Sequence, residues 1–82
     1  MAQLNRAAAV AERDGPRAGL ALVDALGGLP GYPWWHATRA ELLHRLGRPA
    51  EARAAYERAL ALGMSDPQAG HLRGRMSQLP PQ

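Results

Sequence analysis

Eighty-two residues make one small domain at most, and a chain of this length buries only about 60–65% of its unfolded surface. Cysteine is absent, so neither a disulfide nor a thiolate metal site can staple the chain. Phe, Ile and Lys are missing too, which excludes the β-branched and aromatic runs expected of strands. The formal charge is +3, and all ten basic residues are arginine. Seven acidic residues are interleaved among them without a block of like charge, so sequence-specific DNA binding is not expected. No apolar stretch approaches the roughly 18 residues of a membrane span. The start, Met1 to Arg6, lacks the layout of a signal peptide, which makes the cytoplasm the default location.

Turn signals cut the chain into five segments, each with an apolar face at i, i+3, i+4, i+7 helical spacing. The first, Ala2 to Arg13, places Leu4, Ala7, Ala8 and Ala11 together. The second, Pro16 to Leu26, does so with Gly19, Leu20, Val23 and Leu26. The third, Pro33 to Leu46, carries Trp35, Leu42, Leu43 and Leu46. The fourth, Pro49 to Leu62, carries Ala52, Ala55, Tyr56 and Ala59. The fifth, Pro67 to Leu79, carries Leu72, Met76 and Leu79, and is weakened by Gly70 and Gly74 at about 1 kcal/mol each. Ser65 and Gln68 have capping-box spacing at its start. Pro16, Pro33, Pro49 and Pro67 stand where helices begin, and Gly15 and Gly47 where helices end. Short connections force neighbouring helices antiparallel. The expected fold is all-α: two hairpins plus a C-terminal capping helix, one domain over residues 1–79 with a frayed tail at 80–82.

Gly15 and Gly47 are 32 residues apart, close to the tetratricopeptide period of about 34. Ala40, Gly47, Ala52, Tyr56, Ala59 and Leu60 match that repeat well, and Ala8, Gly15, Gly19, Val23 and Leu26 match it more loosely. Small residues let paired helices approach, and one aromatic fills the hole between repeats. Arg39 stands where a leucine is expected, and His36 where a large aromatic is usual.

Chemistry-bearing constellations are few. His36 and His44 lie eight residues apart, about 12 Å along a helix, too far for joint metal ligation. Ser65 and Ser77 have no histidine in a triad-like context, and no glycine-rich phosphate loop exists. An enzyme is therefore not expected, and neither is a cofactor or a metal. In stacked hairpins the first helix of each pair lines the concave surface. That rule puts Asn5, Arg6, Ala9 and Arg13 there from the first helix. From the third it puts Trp34, Thr38, Glu41, His44 and Arg45, with Trp35 turned inward. Arginine, asparagine and an exposed aromatic suit a peptide or an acidic terminus. The competing readings are a solvated face with Glu41 and Arg45 paired at i, i+4, and both tryptophans packed, one on each hairpin.

Two stretches carry a more specific likeness. One is Leu4-Asn5-Arg6-Ala7-Ala8-Ala9-Val10-Ala11-Glu12 with Asp14-Gly15-Pro16 and Gly19-Leu20. The other is Gly31-Tyr32, His36-Ala37-Thr38-Arg39-Ala40-Glu41-Leu42-Leu43, Arg45-Leu46-Gly47-Arg48, Glu51-Ala52 and Ala55-Tyr56. Together they resemble the tetratricopeptide-like C-terminal extension of certain bacterial extracytoplasmic-function sigma factors, with Pro33 and the doubled Trp34-Trp35 as departures. The resemblance implies a fragment of a larger protein with a regulatory role. It would dock on the other sigma-factor domains, on RNA polymerase or on a regulatory protein. A free-standing peptide-binding adaptor and the structural end of a longer solenoid are the alternatives. The first hairpin has no neighbour on its outer side, so Leu4, Ala8, Leu22 and Leu26 are expected to form a bare patch there. A homodimer through that patch would cover it.

Overall fold

The computed structural model describes residues 2–26 and 31–80, with side chains from residue 6 onward. Among them are five α-helices and no strand: α1 (Ala2–Asp14), α2 (Pro16–Ala25), α3 (Pro33–Arg45), α4 (Pro49–Leu62) and α5 (Asp66–Ser77). The fold is all-α and built of helical hairpins, as the periodicity predicts. The prolines open α2, α3 and α4, because a residue without an N–H loses nothing in a first turn. In α5 the proline is second, and the helix starts at Asp66. The Ser65 N–H donates to Gln68 Oε1 at 3.3 Å, which forms the returning arm of the capping box.

Gly47 shows why the turn between α3 and α4 is so well marked. Its φ is +71°. Its N–H reaches the His44 carbonyl at 3.1 Å, and the Arg48 N–H reaches the Leu43 carbonyl at 3.0 Å. These two bonds are the Schellman pair, closing the last carbonyls of α3 through a left-handed residue that glycine adopts without strain. The fifth helix ends two residues earlier than its apolar pattern predicts. Leu79 is nonetheless buried, because the Leu79 N–H turns back to the Met76 carbonyl at 3.1 Å.

The chain packs as α1 on α2, α2 on α3, α3 on α4 and α4 on α5, and α1 also touches α3. Eight of the fifteen buried hydrophobic residues are alanine, so the helices approach closely and large core groups are few. Tyr56, Leu43 and Val23 are the largest fully buried side chains. The α4 face is buried as read from sequence, and so are Gly19, Leu20 and Val23 of α2. In α3 the buried strip is Ala37, Ala40, Leu42 and Leu43, while Trp35 and Leu46 sit half-buried at its margins. Trp35 points inward as expected, and its Nε1–H donates to the Val23 carbonyl at 2.9 Å.

The first hairpin needs one correction. Ala7 and Ala11 are buried but Ala8 is exposed, and the Leu4 side chain lies outside the described set. The rotation of α1 is set by Gly19. A Cβ there would stand 2.6 Å from Ala11 Cβ and 2.9 Å from the Ala7 carbonyl oxygen, so α2 presses its bare backbone against Ala7 and Ala11. This turns Ala8 away.

Two outcomes are expected from this packing. Gly19→Ala should lower stability by about 1–3 kcal/mol in chemical denaturation, the usual overpacking cost. Tyr56→Ala should cost about 3–5 kcal/mol. A Gly19→Ala protein as stable as the parent would show that α1 and α2 are not in close contact.

Candidate binding groove

The third helix is the central element, flanked by α1 and α2 on one side and α4 on the other. Its remaining strip carries Trp34, Thr38, Glu41 and Arg45, spaced at i, i+4, i+7, i+11 and therefore in one line. Where α1 leans on this strip a groove of about 170 Å³ opens, lined by Ala8, Ala11 and Glu12 of α1 and by Thr38, Glu41, Leu42 and Arg45 of α3. Its walls are small and mostly apolar because two of the three α1 residues are alanine. An apolar cavity of about this size, roughly 150 Å³, holds a molecule such as benzene.

Two charged arrangements frame the groove, and neither is the i, i+4 pair of Glu41 with Arg45. Arg45 Nη1 instead meets Glu12 Oε1 at 3.0 Å and ties α3 to α1. Both side chains are largely exposed, at 44% and 72%. Glu41 is taken by two other partners: the Tyr56 hydroxyl of α4 donates to it, and Arg75 Nε of α5 donates to it at 3.1 Å. One carboxylate thus joins three helices. Burial pushes the Glu41 carboxyl up, but the Tyr56 and Arg75 hydrogen bonds and the Arg75 charge outweigh it and hold Glu41 below its ordinary 4.5. Burial, followed by the bond to Glu41, pushes the Tyr56 phenol well above its ordinary 10.0. Arg75 is raised by the same carboxylate.

The residues expected on the concave face separate into two groups. Thr38, Glu41 and Arg45 line the groove. Trp34 lies one turn beyond Thr38 on the same strip and is 40% exposed, the large hydrophobic side chain most open to solvent among the described residues. Arg6 and Arg13 do not reach it. They lie about 150° round α1 from Ala8 and Glu12, at about 100° per residue. Both are exposed, and Arg13 pairs with its neighbour Asp14 at 3.2 Å. His44 is about 100° round α3 from Arg45, on the flank away from α1. Its Nδ1 is enclosed and makes no hydrogen bond among the described residues. The Asn5 side chain is outside the described set, and Ala9 is exposed.

Ala8, Ala11, Glu12 and Leu42 complete the groove without having been singled out as lining it. A signal for Glu12 exists in the sequence. Glu12 and Arg45 are 33 residues apart and Glu41 and Arg75 are 34 apart, each an acid matched to an arginine one repeat later. The same offset makes α5 the equivalent of α1 and α3, the opening helix of a third repeat.

Comparison with known families agrees. Residues 33–76, more than half the chain and covering α3 to α5, match the tetratricopeptide repeat. The chain belongs to the tetratricopeptide repeat family, whose members are protein-interaction modules and typically not catalysts. An uncharacterized protein of Rhizobium meliloti (strain 1021) is 47% identical over 77 residues. That match takes in 93% of this chain but only 18% of the relative's length. No solved structure matches. Among the described residues no helix is long and apolar enough to cross a membrane, and no three potential metal ligands cluster.

The junction at Glu41 predicts a pH profile. Its folded pKa is lowered, so its contribution to stability is present above about 4.5 and is lost as pH falls through the folded value. Tyr56 is raised, so its contribution is present below 10.0 and is lost as pH climbs toward the folded value. Denaturation midpoints measured across pH should fall at both ends. Glu41→Gln should shrink the acid limb, and Tyr56→Phe the alkaline one. Limbs unchanged in both variants would remove the junction from the account of stability.

Proposed function

We propose that this chain is the regulatory C-terminal domain of an extracytoplasmic-function sigma factor, acting in transcription initiation in the bacterial cytoplasm. In this reading residues 1–79 are one domain of a longer protein, 80–82 are its tail, and the partner is a sigma-factor domain, RNA polymerase or a regulatory protein. The groove between α1 and α3 carries the interaction part of the reading: an open, apolar slot with an exposed ion pair at its rim and Trp34 at one end. The sigma-factor part rests on the resemblance of the Leu4–Glu12 and His36–Tyr56 stretches. It is supported by the relative in which the matching segment is under a fifth of the whole. Trp34, Thr38, Glu41 and Arg45 are the contacts proposed from this surface.

A free-standing adaptor that binds peptides in the same groove is the second reading. The repeat family favours it equally. The Glu41–Arg75 pair, which repeats the Glu12–Arg45 link one unit later, also fits the end of a longer solenoid.

Immobilised chain should retain core RNA polymerase or a sigma fragment carrying the promoter-binding domains. Trp34→Ala and Arg45→Glu should each reduce that retention about tenfold or more while helicity stays native, since truncating an interface anchor costs 2 kcal/mol or more, roughly. Retention of neither protein would end the sigma-factor reading. Retention unchanged in both variants would move the contact off the groove.

A further inference from the structure

The groove uses one flank of α1, and the opposite flank belongs to a second surface. On α1, Ala8 and Glu12 turn toward α3, while Arg6 and Val10 fall on the far side. On α2, Asp24 turns toward α3, where Arg39 Nε meets it at 2.9 Å. Ala18, Leu22 and Ala25 fall on the far side of α2, at i, i+4, i+7. The two helices are antiparallel and face each other through Ala7, Ala11 and Gly19. Their far flanks therefore point the same way, off the end of the stack remote from α3. This is the bare patch expected of the first hairpin, with its composition revised. Leu22 stays in it, while Ala8 belongs to the groove and Leu26 packs against the core.

Val10, Leu22 and Ala18 are half-buried and Ala25 is exposed, so the centre is apolar and partly open. The border is cationic. Arg6 and Arg17 are exposed and carry no ion pair among the described residues. The hairpin's Glu12 and Asp24 are both drawn to the α3 side by Arg45 and Arg39. Asp14 remains, and it pairs with Arg13. Charge is thus segregated across the hairpin, carboxylates toward the stack and free guanidinium groups away from it.

We propose that this end face docks an amphipathic helix whose apolar stripe is flanked by carboxylates. The small–large–small ridge of Ala18, Leu22 and Ala25 offers a groove on either side of Leu22 for the side chains of a crossing helix. The free arginines supply the charge match that selects an acidic helix over a neutral one. A second copy of the chain would instead bring two arginine borders together. In the Rhizobium relative, a unit like this one is embedded in a much longer polypeptide, so other segments stand near it.

The probe is a pair of labelled synthetic helical peptides with one Leu/Ala stripe, flanked by Glu in the first and by Lys in the second. Fluorescence anisotropy against the full chain should show the Glu peptide binding about tenfold tighter or better at low salt, with the gap closing as salt rises. Ala18→Glu and Ala25→Glu place good helix formers at partly open positions, and each should weaken that binding about tenfold with helicity unchanged. Equal binding of the two peptides, no binding of the Glu peptide, or indifference to both substitutions would overturn the proposal. Sedimentation velocity without peptide adds an independent readout. A monomer at all concentrations supports it, and a dimer that Ala18→Glu dissociates overturns it, since the occupant would then be a second copy.

Discussion

The Glu41 carboxylate is the point at which α3, α4 and α5 are held in one arrangement. Tyr56 comes to it from α4 and Arg75 from α5. Both the tyrosine ring and the alanines around it are buried, so the phenol needs an acceptor inside the hairpin. A half-buried carboxylate on the neighbouring helix supplies one. A carboxylate so placed needs a counter-charge, which Arg75 provides from α5. The chain of requirements matters more here than in a larger domain. Alanine supplies most of the buried positions, and a methyl group buries little apolar area. The few large groups, Tyr56 first, must therefore be well satisfied.

The surface ion pairs have a different role. Glu12–Arg45, Asp24–Arg39 and Arg48–Glu51 are partly or largely exposed. Pairs of that kind contribute roughly 0–1 kcal/mol. Their positions are informative all the same. Two of the inter-helix links join opening helices one repeat apart, and a third joins α2 to α3 within the stack. They set which residues face each other as one repeat lies on the next, while the methyl-on-methyl contacts of Ala7, Ala11, Ala52, Ala55 and Ala59 set how close the helices come.

Much of this was legible in the chain before any coordinates. Proline at helix starts and Gly47 at a helix end are local signals, each tied to a backbone geometry that few residues satisfy. The small–aromatic–small face of α4 was legible for the same reason, since Tyr56 has one place to go. The first helix was less legible. Ala7, Ala8, Ala9 and Ala11 offer no contrast between an inner and an outer face, so hydrophobic periodicity does not fix the rotation. Gly19 fixes it, and a close approach at a glycine depends on the partner helix. Once α1 is turned by that contact, Arg6 and Arg13 leave the groove side and Glu12 enters it. The partners of Glu41 were missed because a helical neighbour, Arg45, stands four residues away, whereas the observed partner is 34 residues on. Nearness in sequence competed with the repeat period, and the period decided the contact.

The two kinds of charge pair divide the groove into a fixed and an adjustable part. Glu41 is shielded, doubly hydrogen-bonded and held ionised below its ordinary pKa. Moving it would leave both the Tyr56 hydroxyl and the Arg75 guanidinium without their acceptor, and groups removed from water lose more when a partner is taken away than an exposed pair does. At the rim, Arg45 and Glu12 keep much of their surface in water, so separating them costs little. A ligand entering between α1 and α3 therefore meets a rigid floor, set by the contacts that hold α4 and α5 in place, and a rim whose arginine can exchange one carboxylate for another.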